Sequence, residues 1–322
     1  MGTRAQRIRQ APRLPASGSG FRLRLPVPAS GSGFPLRLPV PASGSGSGPP
    51  VLRSGRVCTL IALHQVHRDI PLLVAANRDE LYARPSSGPT VLREAPRAIG
   101  GRDQARGGTW LGASAPGFFV GLTNQRTFTP PDPALRSRGE VVLSALGAAD
   151  LEAALAGLSA LDGRAYNPFN LLLGDGRRLF VAYARPESAR LELTELRPGI
   201  WALPNDRLGS TEFPKIDRAA RLARPLLALP WEALVPRAQA MLADHEMPES
   251  EPVSETPLPR WLTPDLRGRL QALCVHTPLY GTRSATLLAI SERGVERYLH
   301  ADGPPCQAPL CDRADLVARL TG

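Results

Sequence analysis

The chain has 322 residues, 43% of them hydrophobic, which allows one large domain or two small ones with a sizeable core. Its formal net charge of +10 would favour a nucleic-acid partner, but nine of the 39 basic residues lie in residues 1–56, which contain no acid. The remaining 30 basic and 29 acidic residues nearly balance, so we expect no nucleic-acid binding. No apolar run reaches the roughly 20 residues that span a bilayer, and four cysteines are not a disulfide scaffold, so we expect a cytoplasmic protein.

The N-terminal region differs in composition from the rest of the chain. It contains a tandem repeat, GFRLRLPVPASGS followed by GFPLRLPVPASGS, whose prolines, glycines and serines cannot bury a core. We therefore predict that residues 1–57 are a disordered extension and that residues 58–322 form a single domain. Val57 directly precedes Cys58, and a bacterial GTG codon, which otherwise encodes valine, can start translation as methionine. We hypothesise that residues 1–56 come from a misassigned start and that the product begins Met-Cys.

The first half of the predicted domain begins with strands and continues with helices. The runs CTLIALH and IPLLVAAN predict two strands with a turn at Arg68 and Asp69, and GTWLGASAPGFFVGLTN predicts a hairpin. Helical spacing follows at residues 137–147 and 150–161, the second with Asp150 as its N-cap. Four further runs predict strands: NLLLGD, RLFVAYA, ARLELTEL and GIWALPN.

The second half of the predicted domain returns to helices and then to strands. Helices are predicted at about 215–229 and 231–243, and a Pro- and Glu-rich surface loop at 246–260. The runs ALCVHT, SATLLAI and VERYLH predict strands, and residues near 312–320 predict a short helix. This order of strands, helices and strands favours an α+β fold of stacked layers over a strictly alternating doubly wound fold.

Cys58 opens the first predicted strand and has two interpretations. One is structural, because cysteine is commonly buried as a small apolar residue. The other is chemical, because a cysteine thiolate beside a base is a nucleophile. If Cys58 became the N-terminal residue, its own α-amine, with an unperturbed pKa near 8, could take the thiol proton without a histidine.

Polar side chains also stand at the ends of other predicted strands. Asn77, Arg78, Asp79 and Glu80 follow the apolar run PLLVAA, a pattern that usually marks a loop. A carboxylate at this position could instead accept hydrogen bonds from an N-terminal amine. Asn124 ends the strand of GLTN, and its amide could donate to a developing oxyanion, an interaction worth about 3–4 kcal/mol in the transition state.

A group of residues near the C-terminus has metal-ligand chemistry. It consists of Cys306 and Cys311 with His300, and with Cys274 or His276 as further candidates. Three prolines around the two cysteines indicate a plain loop, so we expect no metal site.

Seven short stretches follow one another in the second part of the chain: VCTLIA, ANRDE, GGTWLG, GLTNQR, YNPFNLLLGD, LPND and YGTRSATLL. In this order they resemble the NRDE proteins, also called the transport and Golgi organisation 2 family, from Cys58 to about His300. That family is in turn similar to the N-terminal-nucleophile hydrolases, especially bile-salt hydrolases, penicillin V acylases and acyl-CoA acyltransferases. The resemblance implies a four-layer αββα sandwich with the nucleophile at the start of a central strand.

The resemblance also implies roles for individual residues at the first two motifs. It identifies Cys58 as the nucleophile of an N-terminal-nucleophile enzyme. Asp79 is expected to bind the freed α-amine of that cysteine. Asn77 and Arg78 are expected to lie beside the substrate.

Three residues of later motifs receive roles from the same resemblance. Asn124 matches the strand-end asparagine of the hydrolases, and Asn205 matches a second asparagine of their pocket. Arg283 is expected to bind a carboxylate or phosphate of the substrate.

Two hypotheses for the function remain open from the sequence. In the first, the protein is an amidohydrolase or acyltransferase that attacks an amide or thioester of a small-molecule substrate and needs no cofactor. In the second, it is a non-enzymatic carrier of a hydrophobic ligand such as haem, an acyl-CoA or a lipid, since eukaryotic members of the family are linked to haem mobilisation and lipid homeostasis. The chain has no Cys-x-x-Cys-His motif for covalent haem attachment.

Overall fold

The computed structural model describes residues 58–247 and 257–321. The predicted N-terminal extension, residues 1–57, lies outside the described residues, as does much of the predicted loop at 246–260. Within the described ranges, no helix has both the length and the apolar character needed to cross a membrane.

The described residues form thirteen strands that pair into two antiparallel sheets. In chain order the strands are β1 (Thr59–His64), β2 (Leu72–Leu81), β3 (Ser86–Glu94), β4 (Arg97–Asp103), β5 (Leu111–Ser114), β6 (Phe119–Asn124), β7 (Phe169–Gly174), β8 (Leu179–Ala184), β9 (Glu192–Leu196), β10 (Gly199–Leu203), β11 (Tyr280–Ser291), β12 (Gly294–Ala301) and β13 (Cys311–Asp312). The first sheet has the order β10-β1-β2-β11-β12-β13, and the second sheet has the order β3-β4-β5-β6-β7-β8-β9.

Six α-helices accompany the sheets in the described part of the chain. They are α1 (Arg138–Ala145), α2 (Leu151–Ser159), α3 (Lys215–Ala223), α4 (Trp231–Leu242), α5 (Pro264–Arg269) and α6 (Ala314–Thr321). The predicted cap of α2 is confirmed, because the Asp150 carboxylate accepts a hydrogen bond from the Ala153 N–H at 2.7 Å. The predicted helix at 215–229 is α-helical only at first and continues as a 3₁₀ helix over Arg224–Ala228, which contains a proline that cannot donate a helical hydrogen bond.

Three apolar cores hold four layers together. Helices α3 and α4 cover the outer face of the first sheet, where Leu234 and Leu73 share one core. The inner faces of the two sheets share a second core, which contains Leu60 and Phe119. Helices α1 and α2 cover the outer face of the second sheet through a third core that includes Leu155. The predicted α+β class and the αββα order of layers are therefore confirmed.

Strand β1 shows why the sequence at the start of the domain is so apolar. It lies between β10 and β2, and all six of its residues are buried. Because side chains alternate along a strand, Leu60 and Ala62 contribute to the core between the sheets, whereas Ile61 and Leu63 contribute to the core under the helices. A strand that is covered on both faces needs an apolar residue at almost every position.

Two sequence interpretations of local structure are wrong. The polar residues Asn77–Glu80 do not form a loop after a strand, because β2 continues through them to Leu81. They can remain in the strand because their side chains find polar partners there: Asn77 donates to the Leu242 and Leu273 carbonyls, and Arg78 donates to the Ser86 hydroxyl. The run ALCVHT is not a strand. The Thr282 N–H donates to the Val275 carbonyl, and among the described residues the only β-pairing in this run is an isolated bridge between His276 and Gly281.

Strands β3 and β4 were not expected from the sequence. Their residues include Gly88, Pro89, Gly100 and Gly101, which weaken the alternating apolar pattern of a strand. The two strands nevertheless pair with each other, with register shifts around Gly88 and Leu92. They form the edge of the second sheet next to β5.

Several strand ends of the two sheets lie at one end of the molecule. In the first sheet, Thr59 at the start of β1 is opposite Asn77 of β2, and Leu60 is opposite Leu203 at the end of β10. In the second sheet, Asn124 at the end of β6 is opposite Phe169 at the start of β7. This end of the sandwich therefore carries most of the polar strand-end residues named above.

Candidate active site

A cleft with a volume of about 220 Å³ opens at this end of the sandwich. Four of the residues that the sequence analysis selected line it: Cys58, Arg78, Asp79 and Asn124. They come from three strand ends in two sheets, so the packing of the sheets brings them together. The rest of the lining is mixed, with Trp110 and Leu122 as its large apolar residues.

Cys58 is buried directly beside β2. Its side chain is 8% exposed, and its thiol donates a weak hydrogen bond to the Asp79 carbonyl oxygen at 3.7 Å. Burial and, after it, the negative charge of the nearby Asp79 carboxylate raise the pKa of the Cys58 thiol to about 12. The thiol therefore keeps its proton at neutral pH unless a base is added next to it.

The Asp79 side chain occupies a buried polar site. One carboxylate oxygen accepts a hydrogen bond of 2.6 Å from the Thr282 hydroxyl, which in turn accepts one of 2.9 Å from the Val275 N–H. The other oxygen, Oδ2, has no hydrogen-bond partner among the described residues. Burial raises the pKa of Asp79, and the positive charge of Lys215 is the strongest influence in the opposite direction.

Lys215 is the only lysine in the chain and begins α3. It is 1% exposed, and its Nζ also lacks a hydrogen-bond partner within the described part of the chain. Burial lowers the pKa of Lys215, while the charges of Asp79 and Cys58 raise it. Asp79 and Lys215 thus form an electrostatic pair whose two polar ends, Oδ2 and Nζ, keep unused hydrogen-bonding capacity.

Arg78 is held in place on the wall of the cleft by an aromatic ring. Its guanidinium carbon lies 4.2 Å from the ring centroid of Trp110, a cation–π geometry. It also donates a hydrogen bond of 3.2 Å to the Ser86 hydroxyl. Burial lowers the pKa of Arg78, and the neighbouring Glu80 carboxylate opposes that change.

The cleft lining is strongly charged, with five arginines and four acidic residues: Arg78, Arg84, Arg106, Arg136 and Arg138, and Asp79, Glu80, Asp103 and Asp132. Arg84 is paired with Asp103 at 2.6 Å, whereas Arg106 donates to the Leu135 carbonyl at 2.9 Å. Arg136 and Arg138 flank Ser137, the N-cap of α1, and all three line the cleft. The first turn of a helix presents N–H groups and partial positive charge, which favours an anion placed directly next to α1.

The remaining predicted site residues make other contacts. Asn205 donates from its amide to the Asn124 carbonyl at 2.5 Å, so it braces Asn124 from the loop after β10. Asn77 donates to the carbonyls of Leu242 and Leu273, at 2.8 Å each, on the helix side of the sheet. Neither Asn77 nor Asn205 is among the residues that line the main cleft.

Arg283 also lies outside the lining of the main cleft. Its guanidinium donates hydrogen bonds to the carbonyls of Leu81 and Tyr82, at 3.3 and 2.5 Å. It therefore stabilises the end of β2, and the arginines that do line the cleft come from other segments.

Several residues of this site were not selected from the sequence. They are Trp110, Arg138, Lys215 and Thr282. Trp110 lies within the GGTWLG stretch, and Lys215 stands out as the single lysine beside 38 arginines, so both had a signal in the sequence. Thr282 likewise lies within the YGTRSATLL stretch, whereas the place of Arg138 in the site depends on how α1 packs.

The chain is similar to proteins of known family. The sequence model described as "Transport and Golgi organisation 2" matches residues 57–301. The chain belongs to this family. Among curated members, the transport and Golgi organization protein 2 homolog of Bos taurus is 32% identical over 237 residues, which cover 69% of this chain and 83% of that protein. The human homolog is 30% identical over 237 residues, with the same coverage of each chain.

The transport and Golgi organisation 2 chain also resembles a solved hydrolase structure. A crystal structure of a mutant conjugated bile acid hydrolase from Clostridium perfringens aligns with 82% of this chain and 94% of its own, with a TM-score of 0.50 and 10% sequence identity. At this identity the likeness shows the fold alone. The family resemblance and the N-terminal-nucleophile hydrolase fold expected from the seven stretches are both confirmed.

Proposed function

We propose that this protein is a cysteine N-terminal-nucleophile hydrolase or acyltransferase that acts on an amide or thioester of an anionic small molecule. One observation carries the proposal. Cys58 stands at the start of a central strand, in the wall of a cleft, beside a buried carboxylate with an unused acceptor oxygen.

The thiol of Cys58 needs a base, and its own α-amine is the candidate. No histidine lines the cleft among the described residues, and the thiol pKa of about 12 leaves almost no thiolate at neutral pH. Translation from the Val57 codon with removal of methionine, or cleavage after Val57, would free the α-amine of Cys58. An α-amine has an unperturbed pKa near 8, so a useful fraction of it accepts a proton at neutral pH.

Asp79 would hold the freed amine in position. Its Oδ2 can accept a hydrogen bond, while the Thr282 hydroxyl occupies the other oxygen and fixes the carboxylate. A charge-assisted hydrogen bond of this kind would orient the amine toward the neighbouring sulfur. Lys215 supplies the positive charge that favours the ionised carboxylate in this buried place.

The reaction would proceed in two acyl-transfer steps. The Cys58 sulfur attacks the carbonyl carbon as the α-amine takes its proton, and Asn124 donates to the oxyanion. The tetrahedral adduct collapses, the bond to the leaving amine or thiol breaks, and the α-ammonium returns the proton to that group. Water or another nucleophile then attacks the acyl-enzyme, which releases the acid or the transferred acyl product.

The mouth of the cleft indicates the charge of the substrate. Arg136 and Arg138 line it at the N-terminal turn of α1, and the arginines of the whole lining outnumber its acidic residues by five to four. We therefore expect a substrate with a carboxylate or phosphate located away from the reacting carbonyl.

The carrier hypothesis receives less support from the same cleft. Of the side chains that ligate haem iron in proteins, only the Cys58 thiol is present among the described residues that line it. That thiol keeps its proton at neutral pH, and the lining is rich in charge. The residues present therefore do not fit haem.

The test compares the full chain with a chain that starts at residue 57 and carries Val57→Met. Both are incubated with a carboxylate-bearing p-nitrophenyl ester and with the matching acyl-CoA thioester, and intact mass gives the N-terminus and any acyl adduct. We expect adduct formation and turnover only where Cys58 is the first residue, loss of both in Cys58→Ala, and no change in Cys311→Ser, which alters an exposed cysteine outside the cleft.

Equal turnover by Cys58→Ala, or an adduct on another residue, would contradict the mechanism. Reversible binding without turnover by the processed chain would favour a carrier.

A further inference from the structure

Two cysteines and two histidines from three separate segments of the chain come together in space. They are His245 after α4, Cys274 and His276 before β11, and Cys306 in the loop between β12 and β13. The nearest ligand atoms of the four side chains all lie within 4.8 Å of one another. We call this group the Cys/His cluster.

The distances within the Cys/His cluster match those around a tetrahedral metal ion. The sulfurs of Cys274 and Cys306 are 3.8 Å apart, and His276 Nε2 lies 3.7 Å from the first and 3.3 Å from the second. Zinc binds sulfur at about 2.3 Å and imidazole nitrogen at about 2.0–2.1 Å, so a tetrahedral site places two sulfurs about 3.8 Å apart and a sulfur and a nitrogen about 3.6 Å apart.

The second histidine already has the hydrogen bond that a metal ligand needs. His245 Nδ1 lies 2.9 Å from the Cys274 carbonyl oxygen, so Nδ1 carries the proton and donates it. Nε2 is then the unprotonated nitrogen that is available to a metal. The centroids of the His245 and His276 rings lie 5.1 Å apart.

The backbone around the cluster is held by contacts outside it. The Cys274 N–H donates to the Asp244 carbonyl at 2.8 Å, and Arg218 holds the Asp244 carboxylate with two hydrogen bonds of 2.6 Å. The Gln239 amide of α4 donates to the Pro305 carbonyl at 2.9 Å, next to Cys306. Such outer contacts fix the ligands before a metal binds, which lowers the conformational cost of binding.

We propose that His245, Cys274, His276 and Cys306 bind one Zn²⁺ ion in a tetrahedral Cys2His2 site. Two thiolates and two neutral imidazoles are a ligand set typical of structural zinc, and each thiol releases its proton to solvent when its sulfur–zinc bond forms. Cys274 is buried, whereas His245 and Cys306 are exposed, so one side of the site is open for the ion to enter. The proposal does not depend on the proposed catalytic function.

The site differs from the grouping considered in the sequence. There Cys306 was considered with Cys311 and His300, with Cys274 or His276 as further candidates, and no metal was expected. In the structure the Cys311 thiol lies against the Pro309 carbonyl at 3.7 Å, and His300 Nδ1 lies 3.2 Å from the Thr286 hydroxyl. His245, which no sequence pattern connected to the cysteines, completes the set instead.

The site would fasten a segment that holds Asp79. Cys274 directly precedes Val275, whose N–H donates to the Thr282 hydroxyl, and that hydroxyl binds the Asp79 carboxylate. A zinc ion would therefore join three chain segments at the base of this hydrogen-bond chain. We expect its role to be structural, because all four positions around the metal are occupied by protein ligands.

The test uses the full chain, purified with a reductant and then stripped of metal with a chelator. Co²⁺ is titrated into it, followed by Zn²⁺ in competition, with metal content measured by mass spectrometry. We expect one Co²⁺ per chain, with the strong visible bands of tetrahedral sulfur–nitrogen coordination, displaced by one Zn²⁺. We also expect the zinc-bound chain to unfold at a higher temperature than the stripped chain.

Variants decide which residues bind the ion. Cys306→Ser and His245→Gln change exposed side chains, so the fold should persist, and each is expected to weaken zinc binding by more than about 100-fold, beyond the usual effect of losing an outer-shell contact. Cys311→Ser is the matched control and is expected to bind zinc normally. Three results would overturn the proposal: no stoichiometric metal in the reduced chain, equal loss in Cys311→Ser, or unchanged binding in Cys306→Ser. A Cys274–Cys306 disulfide in a chain that binds no zinc after reduction would overturn it as well.

Discussion

Cysteine side chains have ionisable neighbours in two regions of the molecule, and the neighbours differ. In the cleft, the single thiol of Cys58 lies near a carboxylate, Asp79, and a buried amine, Lys215. In the Cys/His cluster, two thiols lie within 4 Å of each other and of an imidazole nitrogen. A lone thiol beside a carboxylate retains its proton, whereas paired thiols beside imidazoles form a cation site. The same residue type is therefore suited to a covalent step in one region and to a metal in the other.

The two regions also differ in how well their polar atoms are satisfied. At the cleft, Asp79 Oδ2 and the Nζ of the nearby Lys215, which is not a lining residue, are buried without hydrogen-bond partners among the residues described, which costs free energy. In the Cys/His cluster, the backbone and His245 Nδ1 are already bonded. Unused polar atoms in a buried place are typical of a site that awaits a further group, and a freed α-amine is such a group.

The largest expected effect is on turnover, which should depend on the Cys58 thiol in the cleft and not on the thiols of the Cys/His cluster. In the chain that begins at Cys58, Cys58→Ala removes the nucleophile and should reduce the hydrolysis rate of the anionic ester by at least about 1,000-fold. Initial rates and acyl-enzyme mass would measure this. A residual rate within tenfold of the parent chain would place the chemistry elsewhere.

The next effect follows from the raised pKa of the Cys58 thiol in the full chain. Its pKa is about 12 in the folded state against 9.0 as the ordinary value, so the folded state holds the proton more tightly. The Cys58 thiol therefore leaves the free energy of unfolding unchanged below pH 9. As pH rises from 9 toward 12, it lowers that free energy by up to about 4 kcal/mol. Denaturant unfolding of the full chain and of Cys58→Ala at several pH values measures the difference. A gap between the two curves that stays constant from pH 9 to 12 would refute this assignment.

Removing either Asp79 or Lys215 tests whether the two buried charges stabilise each other. Lys215→Met keeps the length of the side chain but leaves Asp79 without its opposing charge, so we expect the free energy of unfolding to fall by about 3 kcal/mol. Asp79→Asn should destabilise to a similar degree. The double variant should lose less than the two changes added together, because it leaves no buried charge uncompensated. Strict additivity in this cycle would show that the two side chains do not interact.

The sequence was sufficient for the parts of the molecule that depend on local pattern or on motif order. Strand β1 is apolar at nearly every position, and Cys58, Arg78, Asp79 and Asn124 lie in motifs next to strand ends, so their approach to one cleft followed from the fold. Other parts depend on packing between distant segments, which no periodicity records.

The Cys/His cluster and the Lys215 site illustrate that second case. His245 and Cys306 belong to segments separated by two strands and a helix, and only the tertiary fold brings them within reach of Cys274. Lys215 was visible as a lone lysine, but its place near Asp79 required the packing of α3 on the first sheet. The Arg283 guanidinium donates to the backbone carbonyls of Leu81 and Tyr82, contacts that its motif did not indicate, and its predicted role toward substrate stays a prediction.

The smallest expected effects would show that the cleft and the Cys/His cluster work independently. Arg138 lines the cleft, so Arg138→Gln should raise KM for the anionic ester about fivefold, with less effect at high salt, and should leave zinc affinity unchanged. Arg218 binds the Asp244 carboxylate next to His245, so Arg218→Gln should weaken zinc binding by about tenfold and leave KM unchanged. Steady-state kinetics and zinc competition on both variants measure the four values. If either change alters both quantities equally, the hydrogen-bond chain from Val275 through Thr282 to Asp79 couples the two regions, and their independence is wrong.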